Sequence, residues 1–225
     1  MGSVYLPQSP EVLRAQQART LVRPRRNYSV AARILFGLMD LLYGRDASLM
    51  KYRVLEIVAR VPYQAWENVA YVAITHTSDT PEFARDIHDR VVETRAQQDN
   101  EQWHLLIIEE MLHASGHRHR LVRDRIIPQI VAFAYYQLSW ALYTISPRWS
   151  YRLNADFEDH AEHEYMNYVA DHPELDASPW ESFFSDDYGA HETVGDLFRS
   201  IGNDERIHKE ESEALIESAR FERLR

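Results

Sequence analysis

Two Glu-x-x-His pairs constrain this chain more than any other feature of its sequence. Glu101 and His104 form the first pair, and Glu205 and His208 form the second one near the C-terminus. Residues three apart share one face of a helix, so each pair can present a carboxylate and an imidazole to the same metal ion. The second pair lies in an apolar stripe, where a charge is costly unless it is paired or metal-bound. The pairs therefore predict two helices with inward-facing ligands.

The rest of the sequence predicts an all-α protein. Apolar residues recur at helical spacing in six segments, namely residues 30–43, 47–77, 80–116, 126–145, 147–171 and from 193 onwards. Thr80 and Ser146 each precede a proline, which is typical of an N-cap followed by the first helical residue. There are only 7 glycines, which disfavours an all-β chain.

The chain divides into two regions by composition. Residues 1–29 are polar and contain Pro7, Pro10 and Pro24, and we expect an N-terminal arm that is extended or loosely packed. Residues 30–225 are expected to form one domain.

Composition limits the chemistry of any functional site. The chain has no cysteine, which excludes disulfides, thiolate catalysis, iron–sulfur clusters and zinc–thiolate sites. It has 11 histidines and 35 acidic residues, and these ligands suit iron or manganese. The net charge of −10 argues against general nucleic-acid binding.

Two further helices each offer a single glutamate. Glu56 interrupts the apolar stripe of residues 47–77, and Glu158 is the candidate in residues 147–171, where Asp159 and Glu162 are rivals on turn geometry. One glutamate from each of two helices and one Glu-x-x-His pair from each of two others is the ligand set of ferritin-like di-iron proteins. We therefore expect a ferritin-like four-helix bundle with additional amphipathic helices, holding two iron ions.

A third Glu-x-x-His pair, Glu110 and His113, competes with the first on the same helix. It lies nine residues further on, about 900° around the helix, and so faces the opposite side. Glu56 and Glu101 are almost equally distant from the turn near residue 79, whereas Glu110 overshoots by about 13 Å. Glu101 and His104 are therefore the predicted ligands.

Two segments allow either a core or a membrane-surface position. Residues 30–43 are apolar along one side, and residues 126–145 are rich in Trp and Tyr and follow a basic cluster at 117–125. Each is either a packed helix or a helix lying on a membrane surface. We expect no signal peptide, because no clean apolar region leads to a small-residue cleavage site, and no transmembrane helix, because no run of 18 apolar residues occurs.

Four blocks of sequence resemble the alternative oxidase family, the di-iron quinol oxidases that include the plastid terminal oxidase. They are Leu-Glu-Ile-Val-Ala-Arg-Val-Pro at 55–62, Asn-Glu-x-x-His-Leu at 100–105, the ungapped stretch 145–165, and Asp-Glu-x-x-His at 204–208. The resemblance covers roughly residues 30–212. Its third block assigns Glu158, rather than Asp159 or Glu162, to the metal position.

The resemblance implies oxidation of a quinol coupled to four-electron reduction of O₂ to water. It also implies a peripheral, monotopic protein in one leaflet of an inner or cytoplasmic membrane, usually as a homodimer. It places Tyr165 beside the metals as a catalytic residue, and Leu55 and Ala161 in the quinone cavity, with Lys51 where the family has an arginine. The metal positions fall on Glu56, Glu101, His104, Glu158, Glu205 and His208.

This chain departs from the family pattern near the expected quinone. His160 replaces a glutamate, Glu164 replaces a threonine, and Tyr63-Gln64 replaces Gly-Met. An alternative function is a soluble, cytoplasmic di-iron oxygenase or hydroxylase acting on a small organic substrate. A further alternative is a non-enzymatic helical protein that binds or stores metal.

Overall fold

The computed structural model describes residues 8–77 and 79–219, and their regular structure is helical. The helices are α1 (Pro10–Val22), α2 (Val30–Tyr43), α3 (Leu49–Ala59), α4 (Val61–Thr75), α5 (Pro81–Ala114), α6 (Ile127–Ile145), α7 (Pro147–Asp171), α8 (Ser185–Tyr188) and α9 (Val194–Glu217). A π-helical turn, Leu121–Ile126, precedes α6, and a 3₁₀ turn, Pro173–Ala177, follows α7. Within these ranges the only β pairing is one isolated bridge between Pro179 and Thr193. The all-α prediction is confirmed.

Four helices, α3, α5, α7 and α9, form the central bundle. Helix α7 packs along α9, and α3 packs against α5 and α7. Helix α4 continues from α3 and packs against α5 and α6, while α1 and α2 lie on the outside. Buried aromatic side chains fill the space between the central helices, and each contributes about 1.5–3 kcal/mol by leaving water. These are Tyr52, Phe157, Tyr165 and Phe198.

Local sequence signals explain several helix ends. The side chains of Ser29, Ser48 and Thr193 accept hydrogen bonds from the first-turn amides of α2, α3 and α9. Gly44 ends α2 with a φ of 93°, a backbone conformation that favours glycine. Helices α5 and α7 begin at prolines as predicted, but neither Thr80 nor Ser146 makes a side-chain cap bond.

The predicted helix over residues 47–77 is interrupted at Arg60. Helix α3 ends at Ala59 and α4 begins at Val61, so the prediction of one continuous helix is wrong. Pro62 accounts for the break, because proline has no amide hydrogen and its ring clashes with the carbonyl group four residues earlier.

The N-terminal region also differs from expectation. Residues 10–22 form helix α1, which packs against α9 and α7, so the extended-arm prediction is wrong there. Gln17 donates a hydrogen bond to the Met166 carbonyl at 2.9 Å and accepts one from Arg199 at 2.7 Å. Helix α1 is held by such polar contacts and by the buried Leu13. A helix held in this way needs no apolar stripe in its sequence, and α1 has none. Residues 1–7 lie outside the described part, and the boundary at residue 29 stays a prediction.

Helices α7 and α9 approach closely at Gly202. A Cβ atom at this position would lie 3.1 Å from Met166 Cε and 3.2 Å from Tyr165 Cβ. A larger residue would push the helices apart one turn before Glu205. The glycine therefore sets the spacing at the level where α7 and α9 present their acidic residues to each other.

Helices α2 and α6 each expose an apolar side. Helix α6 buries Val131 and Tyr135 but exposes other large apolar residues, so it combines the two positions that the sequence allowed. The exposed set on both helices is Val30, Ile34, Leu38, Leu41, Ile130, Phe133, Leu138, Trp140 and Ile145. Among the described helices, none has the length and hydropathy needed to span a membrane.

Candidate metal centre

The central bundle brings the six predicted ligands together. Helix α3 supplies one glutamate, α7 supplies another, and α5 and α9 each supply a Glu-x-x-His pair. All six side chains are fully buried: Glu56, Glu101, His104, Glu158, Glu205 and His208. The six side chains therefore lie close together, as the sequence predicted. Metal binding by these residues stays a prediction.

These residues form two overlapping groups. One consists of Glu56, Glu101, His104 and Glu205, and the other of Glu101, Glu158, Glu205 and His208. Within each group the possible ligand atoms lie within 4.8 Å of one another. Glu101 and Glu205 belong to both groups, so each of these carboxylates would be within reach of both ions.

The histidines point at the carboxylates. His104 Nδ1 lies 3.5 Å from Glu56 Oε2 and 3.3 Å from Glu205 Oε1. His208 Nδ1 lies 2.6 Å from Glu101 Oε1 and 3.6 Å from Glu205 Oε2. Each imidazole nitrogen therefore faces the same small volume as the carboxylate oxygens.

The donor set fits a pair of iron ions. Glu56 Oε2, Glu158 Oε2 and both oxygens of Glu205 are buried and accept no hydrogen bond from the described residues. No lysine or arginine in the described ranges is paired with any of these carboxylates. Buried carboxylates without donors or cations are unfavourable. Oxygen and imidazole ligands suit iron, and divalent ions would satisfy these atoms.

The pKa values of the glutamates also reflect the crowding of buried carboxylates at this site. Burial and the nearby Glu205 carboxylate raise the pKa of Glu56 well above its usual value. Burial and the Glu101 and Glu205 carboxylates do the same to the pKa of Glu158. In contrast, the adjacent His208 lowers the pKa of Glu101 in spite of its burial. The raised pKa values of Glu56 and Glu158 thus reflect carboxylates that lie close to one another in a buried site.

A second layer of residues orients His104. Its Nε2 atom lies 3.3 Å from Asp204 Oδ2, which also accepts a hydrogen bond from the Tyr188 hydroxyl at 2.7 Å. Asn100 Nδ2 donates to the same oxygen at 3.3 Å. A carboxylate on the outer nitrogen of a ligand histidine fixes its tautomer and leaves the other nitrogen for metal. Tyr188 comes from a segment that the sequence indicated only as loop, and no sequence signal identified it.

Two tyrosines hold the single glutamates. The Tyr165 hydroxyl donates a hydrogen bond to Glu56 Oε1, which places it beside the centre as predicted. The Tyr63 hydroxyl donates to Glu158 Oε1 at 2.8 Å. The sequence placed Tyr63 on the same helical stripe as Glu56 and marked it as a departure from the family pattern, but its contact with the centre was missed. Its position seven residues after Glu56, two helical turns on, was the available signal.

The residues predicted to bind quinone lie on α3 and α7. Leu55 and Ala161 are buried in the main apolar core. Lys51 is also buried, and its Nζ donates to Asp40 Oδ1 at 2.7 Å and to the Arg45 carbonyl at 3.1 Å. Asp40 belongs to α2, so Lys51 connects the predicted quinone region with the helix that exposes apolar residues.

The two departures on α7 form a polar group with Arg25. Arg25 donates to His160 Nδ1 and to Glu164 Oε1, both at 3.0 Å. The His160 ring stacks on Phe36 with centroids 3.9 Å apart. Burial lowers the pKa of His160 to about 4, so this histidine is neutral at pH 7.

The rival acids take other roles. Glu110 accepts hydrogen bonds from the Ser182 hydroxyl at 2.7 Å and from the Phe183 amide at 2.9 Å, and so supports the loop after α7. His113 is exposed. Asp159 and Glu162 form a separate buried group with His163. Lys209 Nζ already binds both of these carboxylates, so the group has its own cation.

Comparison with known proteins agrees with this geometry. A family model described as alternative oxidase matches residues 26–216. Ubiquinol oxidase 4, chloroplastic/chromoplastic, of Arabidopsis thaliana is 33% identical over 132 residues, which are 59% of this chain and 34% of the relative. This chain therefore spans about a third of the length of that curated relative. No solved structure matches it. With the family model matching most of its length, the chain belongs to the alternative oxidase family.

Proposed function

We propose that the protein oxidises a quinol, such as ubiquinol, and reduces O₂ to water at a di-iron centre. The observation that supports this most is the pair of buried ligand groups that share Glu101 and Glu205. Two quinols supply four electrons and four protons, which convert one O₂ to two waters. When bound, the two ions would supply the redox chemistry, and the protein supplies ligands, proton positions and exclusion of water.

Several residues around the centre have fixed tasks in this proposal. Asp204 holds His104 so that Nδ1 faces the ions, and Tyr63 holds one oxygen of Glu158. Tyr165 keeps its hydroxyl proton at neutral pH because burial and the Glu56 carboxylate raise its pKa. The hydroxyl is thus a hydrogen donor in contact with a predicted ligand, as a catalytic role beside the metals requires.

The quinol head group binds at Lys51, Leu55 and Ala161. The apolar side chains of Leu55 and Ala161 pack against the ring, while the Lys51 ammonium group has a third hydrogen atom to donate to a ring oxygen. Entry occurs from α2, whose Asp40 binds Lys51. Neutral His160 and the Arg25–Glu164 pair lie on the same helix as Ala161 and contribute the polar side of this region.

A cavity between α3, α4, α5 and α6 offers a second route for the quinol. Its volume is about 580 Å³, in the range of small-molecule sites. Ile57 lies next to Glu56 on the chain, and Phe133 and Tyr136 line the side formed by α6. Gln64 and Gln129 are the uncharged polar groups in its lining.

The apolar sides of α2 and α6 support binding to one leaflet of a membrane. Exposed residues such as Ile34, Leu41, Ile130 and Phe133 would enter the head-group region, next to both quinol routes. These apolar sides support a peripheral, monotopic protein, and the family resemblance implies an inner or cytoplasmic membrane and a homodimer. Sedimentation with lipid vesicles tests membrane binding. The double variant Ile34→Glu and Phe133→Glu should bind vesicles much more weakly than wild type. The control Tyr71→Glu, at an exposed site on α4, should bind as wild type does.

Oxygen uptake with a soluble quinol tests the function. The iron-loaded protein should consume one O₂ per two quinols, and the uptake should resist cyanide. Lys51→Met should raise KM if the first route is used, and Gln64→Leu should raise it if the cavity is used. Absence of uptake with any quinol, despite two bound irons, would contradict the proposal and favour the soluble oxygenase.

A further inference from the structure

A different group of possible metal ligands lies in the segment between α5 and α6. His117, His119 and Asp124 each offer a ligand atom, and these atoms lie within 4.8 Å of one another. Asp124 is buried, His119 is partly buried and His117 is exposed. None of them belongs to the six-residue centre, and nothing in the oxidase proposal uses them.

His119 is held as a metal-bound histidine would be. Its Nε2 lies 3.0 Å from Glu109 Oε2, and Glu109 is itself paired with Arg53. A proton on Nε2 donates to this carboxylate and leaves Nδ1 as an acceptor. Nδ1 is buried and has no hydrogen-bond partner in the described part of the chain. Histidines that bind metal commonly donate their other ring nitrogen to a carboxylate in this way.

Asp124 is fixed before any ion binds. Its Oδ2 accepts a hydrogen bond from the Arg120 amide at 2.7 Å, and Arg53 donates to its carbonyl oxygen at 2.6 Å. His117 Nε2 lies 3.6 Å from the same Oδ2. The Tyr43 hydroxyl donates to the neighbouring Arg123 carbonyl at 2.7 Å, which fastens this π-helical turn to α2.

The surrounding charges select the type of cation. Arg53 is neutralised by Glu109. Arg123 lies over the Tyr43 ring, 5.5 Å from its centroid, and its Nε atom lies 3.8 Å from Asp124 Oδ1, while Asp124 Oδ2 faces His117. With one carboxylate and nearby arginines, the group is poorly suited to Ca²⁺ or Mg²⁺, which prefer several oxygen ligands. Two neutral imidazoles bind Zn²⁺ well, and three protein ligands with water in the fourth position is a known zinc arrangement.

We propose that His117, His119 and Asp124 bind one Zn²⁺ ion, with Glu109 orienting His119. The ion would join the end of α5 to the turn that starts α6. It would therefore stabilise the segment that leads into the exposed apolar side of α6. This site does not depend on the proposed oxidase activity, and its ligands are separate from the iron ligands.

Calorimetric titration of the iron-loaded full-length protein with Zn²⁺ tests the site. Wild type should bind one more Zn²⁺ per chain than His119→Ala. Any Zn²⁺ that replaces iron in the six-residue centre would contribute equally to both titrations, so it cancels in the comparison. Glu109→Gln should weaken binding by about 10–100-fold, the usual effect of losing such a carboxylate. His113→Ala, an exposed histidine nearby outside the group, should behave as wild type.

Thermal unfolding gives a second measurement that does not use activity. Added Zn²⁺ should raise the Tm of wild type, increasingly with concentration, because the ion binds the folded state. The rise should be lost in His119→Ala and in His117→Gln, each checked for native helix content. Equal zinc stoichiometry and equal Tm shifts in wild type and both variants would overturn the proposal, as would binding only at millimolar Zn²⁺.

Discussion

Two buried clusters of acids and histidines share helices α7 and α9, and they differ in whether the chain supplies a cation. The first consists of Asp159, Glu162 and His163, and Lys209 Nζ binds Glu162 and lies 3.2 Å from Asp159 Oδ1. In the second, the six-residue centre, no lysine or arginine of the described chain takes that place. Glu162 follows Glu158 by four residues, and Lys209 follows Glu205 by four, so the clusters are one helical turn apart on each helix.

The difference separates a structural cluster from a metal site. Groups of three or more acids and histidines within reach of one ion occur in both places. In the Lys209 cluster, Arg26 and Tyr28 also donate to Asp159, so its oxygens are satisfied. In the other, Glu56 Oε2, Glu158 Oε2 and both oxygens of Glu205 accept no hydrogen bond from the described residues. Counting cations and donors thus distinguishes the clusters better than counting possible ligands.

The largest effect is expected for Glu205→Ala. Glu205 belongs to both ligand groups, so neither ion keeps a complete set, and iron content and quinol-dependent oxygen uptake should fall to background. Folding should persist, because the change removes one of four buried carboxylates. Metal analysis and an oxygen electrode measure this, with Glu210→Ala, exposed on the same helix, as control. Normal iron content in Glu205→Ala would count against the assignment.

Lys209→Met tests the other cluster. It leaves Asp159 and Glu162 buried without their cation, and removing one partner of a buried ion pair costs about 3–5 kcal/mol. Urea unfolding should show this loss, while the iron content of the folded fraction stays normal. The matched control is Arg206→Met, whose partner Glu210 is exposed and whose ion pair is worth under about 1 kcal/mol. Similar losses for both variants would remove the distinction between the clusters.

Tyr165→Phe should separate catalysis from metal binding. The change removes only the hydroxyl that donates to Glu56, so iron should still bind. Oxygen uptake should fall by about 10²-fold, as expected for loss of a positioned proton donor. Tyr43→Phe, which loses a hydrogen bond to the Arg123 carbonyl, is the control for a buried hydroxyl elsewhere. Unchanged uptake in Tyr165→Phe would leave Tyr165 as a packing residue.

The smallest effect concerns His160, a partly buried histidine that accepts a hydrogen bond from Arg25 and lies near Glu164. Its pKa is lowered to about 4 by burial, below the value of about 6.5 in the unfolded chain. The unfolded state therefore binds more protons below pH 6.5, and stability is lost as pH falls toward 4. Wild type should lose about 2 kcal/mol from this group between pH 7 and pH 5.

His160→Asn removes this titration and keeps an acceptor for Arg25. Urea unfolding at pH 7 and pH 5 should show a smaller acid loss in the variant than in wild type. His172→Asn, at an exposed histidine paired with Glu174, should not reduce that loss. An identical acid loss in His160→Asn and wild type would show that another group is responsible.

The six side chains of the centre could be found from sequence because helical spacing encodes which face a residue occupies. The Glu-x-x-His pairs identified four residues, Glu56 was found as the lone acid on an apolar stripe, and Glu158 was settled by a family block. Depth rejected Glu110, which the structure places against Ser182. The break at Arg60 was readable from Pro62 but was overlooked.

Other parts could not be read from the sequence. Helix α1 is held largely by hydrogen bonds and ion pairs, which leave no periodic apolar signal. Tyr188 reaches Asp204 from an irregular segment, where spacing does not predict direction. Lys209 distinguishes the two clusters only through a contact between helices, and local sequence does not contain such contacts.

The central claim is that six buried residues hold two irons, and iron stoichiometry tests it most directly. The protein is loaded anaerobically with Fe²⁺, freed of excess metal and analysed for iron per folded chain, beside Glu101→Ala as the bridging variant. We predict two irons per chain in the wild type and none in the variant. A folded wild type that retains no iron, or a variant that still retains two, would contradict the account.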